Sequence, residues 1–72
     1  MARMSRPYAK LGERWRQFPT YTRLKSEIKK LIDESPNGEV FVTRSRRGEW
    51  GEWFEYWSMS NGQPVITKQG WM

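Results

Sequence analysis

The side chains best suited to chemistry in this sequence are guanidinium groups and aromatic rings. Three guanidinium groups cluster at Arg44, Arg46 and Arg47, and Trp50 follows three residues later. Guanidinium forks suit bidentate contacts to phosphate or carboxylate. A partly exposed indole beside them would suit an interface anchor or a base-stacking platform. The segment therefore predicts contact with an anionic partner.

The acidic residues beside this cluster allow another interpretation. Gly48-Glu49-Trp50 repeats directly as Gly51-Glu52-Trp53. Glu49 and Glu52 could neutralise the arginines, since exposed charges often pair with little effect on stability.

Catalysis is not expected from this composition. The chain has no His and no Cys. It also lacks a Gly-rich phosphate loop with its Lys and Ser or Thr, and an Asp cluster at metal-ligand spacing. An enzyme would have to move protons with Glu, Lys or Tyr alone. We expect a binding protein with no catalytic residues, no metal and no cofactor.

Charge is concentrated towards the beginning of the chain. The chain has a net charge of +5, and residues 1–25 carry seven Lys or Arg against the single acidic Glu13. Such segregation attracts polyanions or an acidic protein surface, although it could serve solubility alone. The basic residues expected to meet a partner are Arg3, Arg6, Lys10, Arg14, Arg16, Arg44, Arg46 and Arg47.

Residues 1–19 are interpreted as a basic N-terminal arm or short helix. Apolar residues recur there at spacings of three, four and three, the period of one helix face, until Pro19. They are Tyr8, Leu11, Trp15 and Phe18. Such an arm could dock on the rest of the fold or become ordered only on a partner.

Residues 20–72 are interpreted as one domain, a helix followed by three antiparallel strands. Thr20 or Thr22 can cap a helix that runs through Glu34. The strands are expected at 40–45, 50–59 and 65–68. The expected fold is therefore α+β, with one amphipathic helix packed on a three-stranded meander.

The second hairpin has the clearest turn signal. Asn61-Gly62 suits the two positive φ angles of a type I′ turn. The simplest register then places Ser60 opposite Gln63, Trp57 opposite Ile66, and Glu55 opposite Lys68.

A helix can cover only one face of this sheet. Side chains alternate along a strand, so Val40, Val42 and Trp57 should share the covered face. Trp53 and Ile66 join them in this interpretation. The other face, with Phe41, Phe54, Tyr56 and Val65, would be covered by the N-terminal helix or by a partner.

No apolar run approaches the roughly 20 residues of a membrane span, and no apolar segment typical of a signal peptide follows Met1. The expected compartment is the cytoplasm, without membrane contact.

Two binding classes fit these features. Arginines and exposed aromatics could bind single-stranded DNA or RNA without strong sequence preference. The same residue types also dominate the hot spots of protein interfaces.

A very small, basic, tryptophan-dense chain with an amphipathic helix before three antiparallel strands resembles phage-encoded proteins that bind host RNA polymerase, of the type encoded by a Xanthomonas phage. The resemblance implies a non-enzymatic transcription inhibitor and antiterminator in the host cytoplasm. It implies contact with the large polymerase subunits near the RNA exit channel, displacement of the sigma factor and read-through of terminators. It carries no residue roles onto this chain.

Overall fold

The fold is a five-stranded antiparallel sheet with two short helices on one face. The computed structural model describes residues 7–44 and 52–71. Its elements are β1 (Tyr8–Leu11), β2 (Arg14–Gln17), α1 (Tyr21–Ser26), α2 (Ile28–Glu34), β3 (Glu39–Arg44), β4 (Trp53–Ser60) and β5 (Gln63–Trp71). The strand order is β2-β1-β3-β4-β5. The class is α+β, but the expected three-stranded sheet is wrong because two further strands precede the helices.

The two additional strands replace the expected N-terminal helix. β1 and β2 form a hairpin with Gly12 and Glu13 as its loop, and β1 also pairs with β3. Gly12 has φ +65°, a conformation that suits glycine at the first loop position of a type II′ turn. The Phe18 amide donates to the Pro7 carbonyl at 2.9 Å and extends the pairing beyond Tyr8.

The spacing of Tyr8 and Trp15 fits both a helix and a hairpin, for a geometric reason. Tyr8 and Trp15 are seven residues apart, so a helix would place them on one face. The hairpin also does so, because its two-residue loop puts Trp15 opposite Lys10, two residues along from Tyr8. Leu11 distinguishes the two folds, since strand alternation sends it to the opposite face, against the core.

The predicted long helix is present as two short ones. The Arg23 amide donates to Thr20 Oγ1 at 3.1 Å, which confirms Thr20 as the N-cap. The helical pattern is interrupted at Glu27, whose amide donates to the Leu24 carbonyl at 3.1 Å, a tighter i→i−3 bond. α2 ends at Ser35.

The β4–β5 hairpin forms as predicted at its turn. Asn61 and Gly62 have φ angles of 52° and 79°, as a type I′ turn requires. Ser60 lies opposite Gln63 and Trp57 opposite Ile66.

The predicted pairing of Glu55 with Lys68 is wrong. An irregularity between Tyr56 and Trp57 shifts the register, so Lys68 lies opposite Tyr56 and Gln69 opposite Glu55. Glu55 is buried on the helix side, whereas Lys68 is exposed. The bulge therefore keeps a lysine out of the core.

The core lies between the helices and one face of the sheet. Its buried apolar residues are Ala9, Phe18, Leu24, Ile28, Leu31, Ile32, Val40, Val42 and Trp57. Val40, Val42 and Trp57 lie on the covered face, as expected. In the described part of the chain, neither helix has the length and apolar character needed to cross a bilayer.

Candidate binding surface on the open sheet face

The face of the sheet opposite the helices carries a continuous set of aromatic rings, here called the aromatic strip. The pairing places one transverse row of side chains on this open face: Trp15, Lys10, Phe41, Tyr56 and Lys68, one from each strand. The neighbouring row is Gln17, Tyr8, Thr43, Phe54 and Gly70. The aromatic strip consists of Tyr8, Trp15, Phe41, Phe54 and Tyr56. It therefore spans four adjacent strands.

The rings of the strip support one another. Tyr8 meets Trp15 edge to face, with centroids 6.3 Å apart, and Trp15 meets Phe41 in the same way at 6.2 Å. Phe41 also contacts Tyr56 at 4.8 Å and stacks on Phe54 at 6.2 Å. Edge-to-face and offset contacts of this kind are favourable beyond their buried area. The strip is therefore an ordered surface rather than a set of independent side chains.

The strip remains open to solvent at the β2 end. Trp15 is 52% exposed and Tyr8 40% exposed, while Phe41, Phe54 and Tyr56 are partly buried. At the β5 end, Gly70 lies beside the Phe54 ring, where a Cβ would make ordinary contact with Phe54 Cε2 at 3.5 Å. Contiguous exposed apolar patches on small soluble proteins commonly mark interaction sites.

Charges of both signs border the strip. Lys10 places Nζ 5.6 Å from the Trp15 ring centroid, and Lys68 lies opposite Tyr56. Glu39 and Glu52 line hollows on the same face. The described part of the open face thus carries two lysines and two glutamates, although the whole chain is basic.

Two hollows lie on this face, and Trp15 and Phe41 line both. One, of about 470 Å³, is lined by Tyr8, Trp15, Phe41, Thr43 and Glu52. The other, of about 260 Å³, is lined by Lys10, Gly12, Trp15, Asn37, Glu39, Phe41 and Tyr56. The first has aromatic walls and a carboxylate, whereas the second is mostly polar.

The helix side of the same strand carries a buried polar network centred on Glu55. Glu55 is 2% exposed. The Trp53 and Trp57 indoles donate to its carboxylate at 2.9 and 2.8 Å. The Tyr21 hydroxyl donates to it as well, with 2.6 and 2.7 Å to the two oxygens. Three neutral donors thus compensate a buried charge, which is a structural role.

The same network perturbs Tyr21. Burial raises the pKa of the Tyr21 hydroxyl well above its ordinary value, and the hydrogen bond and negative charge of Glu55 raise this pKa further. The Arg44 guanidinium carbon lies 3.7 Å from the Tyr21 ring centroid and partly opposes the shift. The phenol therefore remains a proton donor to Glu55 at neutral pH.

The structure separates the predicted partner-binding residues. Four of them lie on the open face: Lys10, Phe41, Phe54 and Tyr56. Arg44 lies on the helix side, stacked on Tyr21. Arg3, Arg6, Arg46, Arg47 and Trp50 lie outside the described residues.

The arginines of β2 also face the helix side. Arg16 forms ion pairs with Glu27 at 3.6 Å and Glu34 at 3.9 Å, and its guanidinium carbon lies 5.2 Å from the Phe18 ring centroid. Arg14 is exposed on the same strand, opposite Leu11. These two arginines lie off the open face, but both line a hollow at the β2 edge of the sheet together with Trp15.

Sequence reasoning missed Tyr8 and Trp15, the two most exposed rings of the strip. The available signal was the alternation of Tyr8, Ala9, Lys10 and Leu11 before Gly12, which is typical of a strand that ends at a tight turn. It was overlooked because the helical spacing accounted for the same rings.

Within residues 7–44 and 52–71, no three His, Cys, Asp or Glu side chains are grouped so that they could hold a metal ion. No protein-family profile, curated protein or solved structure matches the chain. The geometry of the open face is therefore the feature that bears on function.

Proposed function

We propose that this chain is a non-enzymatic transcription regulator that acts in the host cytoplasm by docking its open sheet face on host RNA polymerase, inhibiting initiation or causing antitermination. The observation that carries the binding role is the aromatic strip, five mutually packed rings across four strands. Trp and Tyr, both present in the strip, are residue types that dominate interface energies. The choice of polymerase comes from the resemblance given above.

The charges on the open face favour a protein partner. A surface that follows a phosphate backbone is usually lined by cations, because each neutralised phosphate contributes to affinity. Here Glu39 and Glu52 balance Lys10 and Lys68 in the described part of the face. The net charge of +5 would still steer the chain towards a large acidic assembly.

One observation favours single-stranded nucleic acid as a second candidate. In the first transverse row, Lys10 lies between Trp15 and Phe41, and Lys68 lies next to Tyr56. Bases stacked on the rings could place phosphates near both lysines, as on other sheet-based nucleic-acid readers.

The test measures binding of the purified chain to nuclease-treated bacterial RNA polymerase. Trp15→Ala should weaken this binding about thirtyfold, as expected for a hot-spot residue worth about 2 kcal/mol. Trp71→Ala is the matched control, since Trp71 is also on an edge strand and 43% exposed but packs beside Trp53 on the other face. It should change binding less than about threefold.

Two results would contradict the protein-directed proposal. One is the absence of binding to polymerase freed of nucleic acid. The other is an equal loss of affinity in the two tryptophan variants. The second candidate would be favoured if the chain bound a single-stranded oligonucleotide and the logarithm of the association constant fell steeply and linearly with the logarithm of salt concentration. A transcription assay with a terminator template then tests inhibition and read-through directly.

A further inference from the structure

The larger hollow on the open face has the composition of a cation-binding site. Three of its five lining residues are aromatic, Tyr8, Trp15 and Phe41, and a fourth is the acidic Glu52. Thr43 completes the lining. The π face of an aromatic ring is electronegative and attracts ammonium and guanidinium groups, and aromatic cages bind such cations.

Neighbouring rings around the hollow are nearly perpendicular to one another. Tyr8 and Trp15 are inclined at 83° to each other, and Trp15 and Phe41 at 77°. Rings at these angles line the hollow in more than one orientation, and the hollow is a shallow depression open to solvent. The volume of about 470 Å³ accommodates the end of a long side chain together with water.

The chain itself shows that Trp15 attracts an ammonium group. Lys10 Nζ lies 5.6 Å from the centroid of the Trp15 ring. Lys10 lines the second hollow and is not among the residues that line the first. The hollow with Glu52 shares Trp15 and Phe41 with the second hollow, but Lys10 does not line it, and Tyr8 and Glu52 belong to it alone.

We propose that the hollow formed by Tyr8, Trp15, Phe41 and Glu52 receives a lysine side chain from the protein partner. The alkyl stem would pack against the rings, and the ammonium group would meet the ring faces and the Glu52 carboxylate. This inference depends on the proposed docking of the open face. To that docking it adds one specific contact, in which a basic side chain of the partner, on a surface that is acidic as a whole, enters the hollow.

The experiment requires no partner protein, so its failure is distinct from failure of polymerase binding. The full chain is titrated with N-acetyl-lysine-N-methylamide while the indole signal of Trp15 and the ring signals of Tyr8 are followed by NMR at constant ionic strength. A single side chain should bind weakly, in the millimolar range. The matched probe is the norleucine analogue, which keeps the alkyl stem and lacks the ammonium group.

The lysine probe should give saturable shifts at both rings, and the norleucine probe should bind about tenfold more weakly. Glu52→Gln should weaken lysine binding about fivefold while leaving the fold unchanged, because residue 52 is exposed. Glu39→Gln, in the second hollow, is the matched control and should have no effect.

Equal binding of the two probes would overturn the proposal, since the hollow would then be only apolar. Equal effects of the Glu52 and Glu39 variants would overturn it as well. Choline that binds more tightly than the lysine probe would indicate a free quaternary ammonium compound and would exclude a partner-borne lysine. Loss of the probe-induced shifts at Tyr8 in Trp15→Leu, with an unchanged circular dichroism spectrum, would support the assignment.

Discussion

The two faces of β4 use aromatic residues in opposite ways. On the helix side, Trp53 and Trp57 donate their indole hydrogens to Glu55. On the open side, Phe54 and Tyr56 pack against Phe41. One strand of eight residues thus contributes alternately to a network in which three side chains satisfy a buried carboxylate and to an apolar surface that stays partly exposed.

The difference shows which side is available for a partner. The helix side combines buried aliphatic residues with a carboxylate that three side chains satisfy, so a partner there would have to displace existing contacts. On the open side the rings keep exposed area after packing on one another. We therefore expect substitutions on the helix side to change stability and substitutions on the open side to change binding.

The largest expected effect is loss of stability when Glu55 is replaced by leucine. Glu55→Leu leaves the hydroxyl of Tyr21 and the indoles of Trp53 and Trp57 without their acceptor. An unsatisfied buried donor costs about 1–3 kcal/mol. The Trp57 donor is buried and those of Tyr21 and Trp53 are part-buried, so the free energy of unfolding should fall by about 3 kcal/mol. Urea denaturation followed by circular dichroism measures the change.

Glu52→Leu is the control for this variant, because residue 52 is exposed. Its free energy of unfolding should change by less than about 0.5 kcal/mol. Similar values for the two variants would show that the Glu55 network does not hold the helix side together.

The next effect concerns the turn that holds β2 in place. A Cβ at Gly12 would lie 2.8 Å from Pro36 Cγ, and Gly12 has φ +65°. Gly12→Ala should therefore lower the free energy of unfolding by about 2–3 kcal/mol, because of backbone strain and displacement of the Pro36 ring. Thermal unfolding measures this loss.

Gly62→Ala separates the two contributions. Gly62 has φ +79°, but a Cβ there meets no atom within 4 Å. Gly62→Ala should lower the free energy of unfolding by about 1 kcal/mol, from backbone strain alone. If Gly12→Ala were no worse than Gly62→Ala, contact with Pro36 would not anchor the hairpin that carries Trp15.

A smaller change in stability is expected on the open face. Trp15→Ala removes the ring contacts to Tyr8 and Phe41, and about half of the removed side chain was already exposed. The free energy of unfolding should fall by only about 1 kcal/mol. Chemical denaturation checks this, and a loss as large as that of Glu55→Leu would contradict the contrast between the faces.

Much of the helix side could be predicted from sequence. Thr20 before an apolar helical period and Asn61-Gly62 between strands are local signals, and local hydrogen bonds or φ angles enforce them. The assignment of Phe41, Phe54 and Tyr56 to the face opposite the predicted long helix followed from strand alternation. The N-terminal helix that was one expected cover for this face is replaced by β1 and β2.

The remaining features depend on contacts between distant residues. The hairpin of Tyr8 and Trp15 is chosen over a helix because β1 pairs with β3, about thirty residues away, and this pairing buries Ala9 against Val42. The bulge opposite Tyr56 depends on the burial of Glu55 beside Tyr21, which no local pattern shows. The hollow with Glu52 needs the hairpin, since two of its three rings, Tyr8 and Trp15, come from β1 and β2.

The smallest expected effect is a loss of folding stability in alkaline solution. It depends on Tyr21, on the helix side, whose pKa differs from that of an ordinary tyrosine. Its pKa is raised in the folded chain by burial and by Glu55, while in the unfolded chain it is about 10. The contribution of this proton to stability is fully present below pH 10. Above that pH the unfolded state releases the proton first, so the folded state loses stability as the pH rises towards the folded pKa.

Tyr21→Phe removes this titration. The variant should be less stable than the wild type at neutral pH, because Glu55 loses one donor. The difference in unfolding free energy between the two proteins should narrow between pH 10 and pH 11. A difference that stays constant over this range, measured by urea denaturation at each pH, would show that the Tyr21 proton is not held by the network, and the helix side would then be less complete than its hydrogen bonds indicate.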